Sequence, residues 1–157
     1  MKLFLVVAVL FAAASTFAQE SAIELMRQDL KTQKVELMGA SLPLTEKEAG
    51  AFWPIYRDYD HELSKIGDRR IAVLKQVAEK YQSMDETTAQ KLVKESFGIA
   101  KDRTSLLEKY YKKIAKAAGV ITAARWLQVE NEMLTIIDAQ VIDQVPLVKI
   151  KPAGEKK

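Results

Sequence analysis

Two long segments of this chain carry their apolar residues on the same four-and-three spacing, and only a few residues separate them. In the first, Phe52, Tyr56, Tyr59, Leu63, Ile66, Arg70, Val73 and Val77 follow that step; in the second, Val93, Phe97, Ala100, Thr104, Leu107, Tyr111, Ile114 and Ala118 do the same. Such spacing keeps a stripe along one side of a helix. A rod of roughly 37 residues is about 55 Å long at ~1.5 Å per residue. With only Gln82-Ser83-Met84 between them, two such rods are expected to fold back so that each covers the other's stripe. The predicted class is therefore all-α: a long antiparallel helical hairpin with two shorter packed helices.

Start and stop signals bound these helices. Thr45 is placed as an N-cap, Glu48 completes a capping box and Leu44 stands at the staple position. Pro54 falls inside the first rod, where it removes a backbone donor and predicts a kink. Gly67, ahead of Asp68-Arg69-Arg70, marks a weak point or a close-contact site. Asp85 is a good N-cap for the second rod, with Thr88 in the box position, and Gly119 closes that rod. Thr122 is expected to cap a third helix, in which Ala123, Trp126, Leu127, Val129, Met133, Leu134, Ile136, Ile137, Val141 and Ile142 cover more than half the circumference before Pro146 ends it. Upstream, residues 21–38 show a looser amphipathic pattern, broken by Gly39-Ala40-Ser41-Leu42-Pro43.

The first residues read as an export signal. Lys2 supplies the positive end, residues 3–14 an apolar run, and Thr16-Phe17-Ala18 a small-x-small site, so cleavage is expected after Ala18 and a periplasmic location follows. The apolar run is shorter than the roughly 20 residues that span a bilayer, so no stable membrane insertion is expected after cleavage. That leaves one helical domain over 19–148 and a disordered lysine-rich tail over 149–157. The chain has no Cys, which removes disulfides and a lipidated cysteine, and leaves stability to the core.

Charge excludes one class of partner. Lys and Arg number 24 against 21 Asp and Glu, a net charge of +3, and the signs interleave as on solvated helix faces. No basic stripe suited to a phosphate backbone emerges, so nucleic acid is not an expected partner. Catalytic chemistry is equally thin. There is no Gly-rich phosphate loop and no nucleophile placed beside a base, so the chain is not expected to be an enzyme or to hold a cofactor. The single histidine, His61, sits with Asp58 and Glu62, short of the three or four protein ligands that zinc takes, and no metal site is assigned.

Protein binding is the chemistry that remains. The candidate binding residues are Trp53, Ile55, Tyr56, Arg57, Arg69 and Arg70. Two readings stand for the aromatic ones: a client-binding patch aided by the arginines, or packing that staples the flanking helices onto the hairpin. Arg70 lies in the apolar stripe, where a charge needs a partner, and a bridge across the hairpin to Asp102 or Glu108 is expected.

These residues resemble the periplasmic Spy/CpxP-type proteins, stress-linked helical proteins marked by repeated Leu-Thr-x-x-Gln motifs. The resemblance rests on Leu44-Thr45 with Glu48 in the Gln position, the long helices that follow, Ile121-Thr122, and Phe52-Trp53-Pro54-Ile55-Tyr56, which matches a branch with Phe-Trp-Pro-x-Tyr after the cap. It implies a thin all-α cradle that dimerises and binds unfolded or partly folded envelope proteins without ATP. Related proteins restrain a membrane sensor kinase or bind zinc. The expected function is therefore an ATP-independent periplasmic chaperone or stress-response binding protein. The alternatives are a regulatory or structural module docking on one envelope signalling protein, or a metal-binding resistance protein. The surplus of apolar residues predicts a homodimer or a large partner-binding face.

Overall fold

Among the residues that the computed structural model describes, 32–143 and 145–150, every regular element is an α-helix. The export signal read over 1–18, the first part of the helix expected over 21–38, and residues 151–157 of the expected tail lie outside the described residues. The chain divides into two units, Met1–Ser41 and Leu42–Lys157. In the first, helix α1 covers 32–41. It passes through Gly39, where a stop was expected, because a helical glycine costs only about 1 kcal/mol relative to alanine. The stop comes from Pro43, which holds the residue before it in extended geometry.

In the second unit, α2 spans Glu46–Lys80, α3 Glu86–Ala118 and α4 Val120–Ile142. The capping box at Thr45 is present: the Thr45 hydroxyl accepts from the Glu48 N–H, and the Glu48 carboxylate accepts the Thr45 N–H at 2.9 Å. The Thr45 hydroxyl, which also donates to that carboxylate at 2.7 Å, and then the Thr45 N–H hold the Glu48 carboxyl below the usual carboxylate range. Asp85 caps α3 in the same way, accepting from the Thr88 N–H at 2.8 Å. Pro54 lies within α2 and the helix continues across it. Gly67 is not a close-contact site, since a Cβ there would meet nothing within 4 Å.

Cross-helix pairs give the directions. Glu62 of α2 meets Lys109 of α3, and Arg69 meets Asp102 and Glu95, so rising numbers on α2 face falling numbers on α3. Those two helices form the expected antiparallel hairpin. Tyr59 bonds to Glu130 and Arg70 to Asp138, sequence offsets of 71 and 68, so α2 and α4 run the same way. Close backbone approach occurs between α2 and α3 and between α3 and α4. The central helix is therefore α3, and long side chains bridge α2 to α4.

The buried stripe of α2 is the one its spacing predicts: Phe52, Tyr56, Tyr59 and Val73 are buried, with Leu63, Ile66, Arg70 and Val77 half-buried between them. Helix α3 follows its predicted stripe only toward its end, where Ile114 and Ala118 are buried. Its buried residues are Leu92, Ile99, Leu106, Tyr110, Ile114 and Ala118, whereas Val93 and Phe97 are 55% and 73% exposed and Ala100 and Thr104 are also exposed. The cause lies in neighbouring pairs. Leu92/Val93, Leu106/Leu107 and Tyr110/Tyr111 offer two apolar stripes one residue, or about 100°, apart. The stripe that holds Leu92 and Ile99 is the one that meets α2, with Val73 buried beside them and Ile66 and Val77 packed against the three.

Gly119 has φ 93°, a left-handed value that suits glycine, and it reverses the chain within one residue. In consequence α4 starts at Val120, and Thr122 lies in its first turn instead of capping it; no side chain caps this helix. Ala123, Trp126, Met133 and Leu134 are buried as their pattern predicts, while Ile136 and Ile142 are exposed. Asp143 ends α4 ahead of Pro146. Lys149, placed by its sequence at the start of a tail, donates its N–H to the Tyr81 carbonyl at the end of α2 at 2.8 Å.

Candidate functional site

The four- and three-residue steps of α2 bring Phe52, Tyr56 and Tyr59 onto one side, where Tyr59 meets aromatic residues of α3 and α4. Tyr59 lies edge-on to Tyr110 of α3 at 5.4 Å and to Trp126 of α4 at 5.1 Å, and Phe52 stacks on Tyr56 at 5.6 Å. Such offset and edge-on pairs contribute about 0.5–1.5 kcal/mol each beyond burial. A fully buried carboxylate, Glu130, accepts a 2.9 Å hydrogen bond from the Tyr59 hydroxyl. Burial, reinforced by the Glu130 charge, pushes the hydroxyls of Tyr56 and Tyr59 far above the usual phenol range, so both stay neutral donors. The Tyr56 hydroxyl and the Trp126 indole N–H are buried with no hydrogen-bond partner among the described residues.

This cluster settles the positions of the aromatic candidates. Tyr56 is buried within it and presents no surface. Trp53 is half-buried at its edge, with its ring perpendicular to Phe52 at 5.1 Å and to Tyr56 at 5.7 Å. Ile55 is half-buried and Arg57 exposed. The arginines lie elsewhere: sixteen residues of helix separate Trp53 from Arg69, about 24 Å. Nor do the two arginines share a flank. Arg69 faces α3, bonded to Glu95 at 2.9 Å and Asp102 at 2.6 Å, and these acids raise its pKa further. Arg70 faces α4, where it and Arg103 both hold Asp138, the latter at 2.7 Å. The bridge expected from Arg70 to Asp102 or Glu108 is thus replaced by one to Asp138. Asp102 is taken by the neighbouring Arg69, and the seam of α2 turns Arg70 toward α4.

On the α2–α3 flank, Glu62 binds Lys109 through both carboxylate oxygens at 2.8 and 2.7 Å and accepts the Tyr110 hydroxyl at 2.9 Å. These bonds, led by Lys109, hold the Glu62 carboxyl below its usual range. Lys113 stands over the Tyr110 ring at 4.4 Å. The groove beside them is lined by Glu62, Lys65, Ile66, Asp102, Ser105, Leu106 and Lys109, with two apolar residues at its base and paired charges along its rim. Among the described residues no three His, Asp or Glu side chains converge on a point where a metal would sit. His61 is exposed.

The shift of phase on α3 exposes a surface that its sequence pattern assigned to the core. Val93 and Phe97 form an apolar strip on the solvent side of the central helix. Lys94 and Lys101, three residues before and four after Phe97, stand exposed on the same face. Spacing alone could not reveal this, because the stripe that is exposed has the same period as the stripe that is buried. Glu130 was also missed. The signal was available, since it stands four residues after Trp126 and three before Met133 on one face of α4. Comparison of the chain with protein-family models, with curated proteins and with solved structures gave no match.

Proposed function

We propose that the protein is an ATP-independent binding protein of chaperone type, which takes partly folded protein segments on the exposed face of α3. The observation that carries this reading is Phe97, 73% exposed on a rigid helix with Val93 beside it and lysines on either side. A large ring held in water by a helix that has a second apolar stripe to bury is a contact surface. Its chemistry selects the occupant. Phe97 and Val93 take apolar side chains, and Lys94 and Lys101 favour a segment that also carries acids. A second copy of the same face would set these lysines against each other, so the homodimer expected from the surplus apolar surface would use a different face.

The rest of the molecule supports a scaffold role. Two of the polar groups best shielded from water, Tyr59 and Glu130, are joined to each other inside the bundle. The Spy/CpxP-type resemblance supports the same reading, with an envelope location and clients among unfolded envelope proteins. The test is aggregation of a chemically denatured reporter at stoichiometric protein, together with crosslinking in intact cells. Suppression with many crosslinked species supports the proposal. Failure to suppress at several-fold excess sinks it, and one dominant crosslinked partner replaces it with docking on a single envelope signalling protein.

A further inference from the structure

A second exposed apolar surface lies at the corner where α3 gives way to α4. Val120 and Ile121 are 61% and 81% exposed, side by side at the point where Gly119 reverses the chain. Helix starts usually carry acids, yet the first turn of α4 has none, and the last turn of α3 carries Lys116. Lys112 and Lys116 are exposed on the turns before the corner, and Arg125, four residues after Ile121, is exposed on the same face of α4. The acids toward this end are Glu46 and Glu48 at the start of α2, the second of which is held by Thr45, and Asp58 and Asp60, which lie across the hairpin at the level of Lys112, with Glu108 and Glu132 farther from the corner.

We infer that this corner docks on an anionic lipid surface, with Val120 and Ile121 entering the headgroup layer while Lys112, Lys116 and Arg125 engage lipid phosphates. The pattern is that of an interfacial contact: protruding apolar side chains ringed by cations that have long stems. It differs from the α3 face, where Phe97 and Val93 are exposed along the side of a helix, because a bilayer is met by a tip and an extended segment by a strip. Binding of this kind is peripheral and reversible, and salt weakens it. It would hold a binding protein close to a membrane with the Phe97 face free.

The chain has no native Cys, so one introduced at a time reports locally. Ala124→Cys carrying an environment-sensitive fluorophore is titrated with phosphatidylglycerol-containing vesicles and with pure phosphatidylcholine vesicles, and Ser83→Cys at the far end of the hairpin serves as control. The expected result is a blue shift at position 124 on anionic vesicles alone, with position 83 silent. Lys116→Gln with Arg125→Gln should weaken partitioning roughly 25-fold, about fivefold per cation. Ile121→Asp should remove the shift while reporter protection and melting stay unchanged. Equal response on neutral vesicles, or an equal shift at position 83 from tethering elsewhere, overturns the inference. So does a shift produced by polyglutamate but not by vesicles, which would make the corner a site for acidic protein.

Discussion

Replacing Ile99 and Phe97 separately with alanine tests the packing of the central helix, because they lie two residues apart and the two possible stripes assign them opposite fates. Ile99 is buried with Val73 and Leu92, and Ile66, Val77 and Met84 close around them. Truncating such a residue leaves a cavity that its neighbours only partly fill, at a cost of about 2–5 kcal/mol. Phe97 stands in water, so its truncation removes little burial. Alanine is also the better helix former by about 0.5 kcal/mol, which offsets that loss. The expected change for Phe97→Ala lies within about 0.5 kcal/mol of zero. At about 4 °C per kcal/mol for a domain of this size, Ile99→Ala should lower Tm by about 8–20 °C and Phe97→Ala by no more than about 2 °C. Urea unfolding followed by circular dichroism measures both, and an unchanged m-value confirms that the difference is one of stability. A cost of about 2 kcal/mol or more for Phe97→Ala with Ile99→Ala nearly neutral would put the Phe97 stripe inside and overturn this packing.

Other outcomes follow from the same contacts. Tyr56→Phe removes a buried hydroxyl that has no partner and should stabilise by about 1 kcal/mol, whereas Tyr59→Phe takes a donor from buried Glu130 and should cost about 1–3 kcal/mol; thermal melts should show opposite signs. Gly67→Ala fills open space in a helix interior and should stabilise by about 0.5–1 kcal/mol by urea titration. The Glu62 carboxyl is held down by Lys109 and Tyr110, so its contribution is present above the ordinary value of 4.5 and fades as pH falls through the lower folded value; Glu62→Gln should flatten that acid limb. Tyr110 is shifted the other way, pushed up to about 12 by burial and then by Glu62. Its contribution is complete below 10 and fades between 10 and 12, which phenolate absorbance of the parent and of Tyr110→Phe will show.

How much could be read in advance depended on whether a residue had a rival. In α2 only one stripe is apolar, and Thr45 with Glu48 is a cap without a competitor, so its start and its buried face were both legible. In α3 the adjacent pairs Leu92/Val93, Leu106/Leu107 and Tyr110/Tyr111 leave the face ambiguous, and only packing against neighbouring helices, α2 at the Leu92 end, resolves it. Arg70 shows a similar limit: a charge in an apolar seam announces that a partner exists, but the choice between Asp102 and Asp138 depends on which neighbouring helix the seam faces. Thr122 is a good cap by type. A glycine at φ 93° turned the chain three residues earlier and made that cap unnecessary. Of the candidate binding residues, the pattern joined Trp53 and Tyr56 correctly as neighbours. It grouped Arg69 with Arg70, although adjacent residues on a helix diverge by about 100°, and they turn to α3 and α4 respectively.

The most direct test of the account is a photo-crosslinking residue substituted for Phe97, compared with the same residue at Ser83 and at buried Ile114, in cells under envelope stress. Position 97 should give a broad set of adducts, and 83 and 114 none above background. Absence of adducts at 97, or a yield no greater than at 83, would contradict the claim that the exposed face of α3 is where this protein binds.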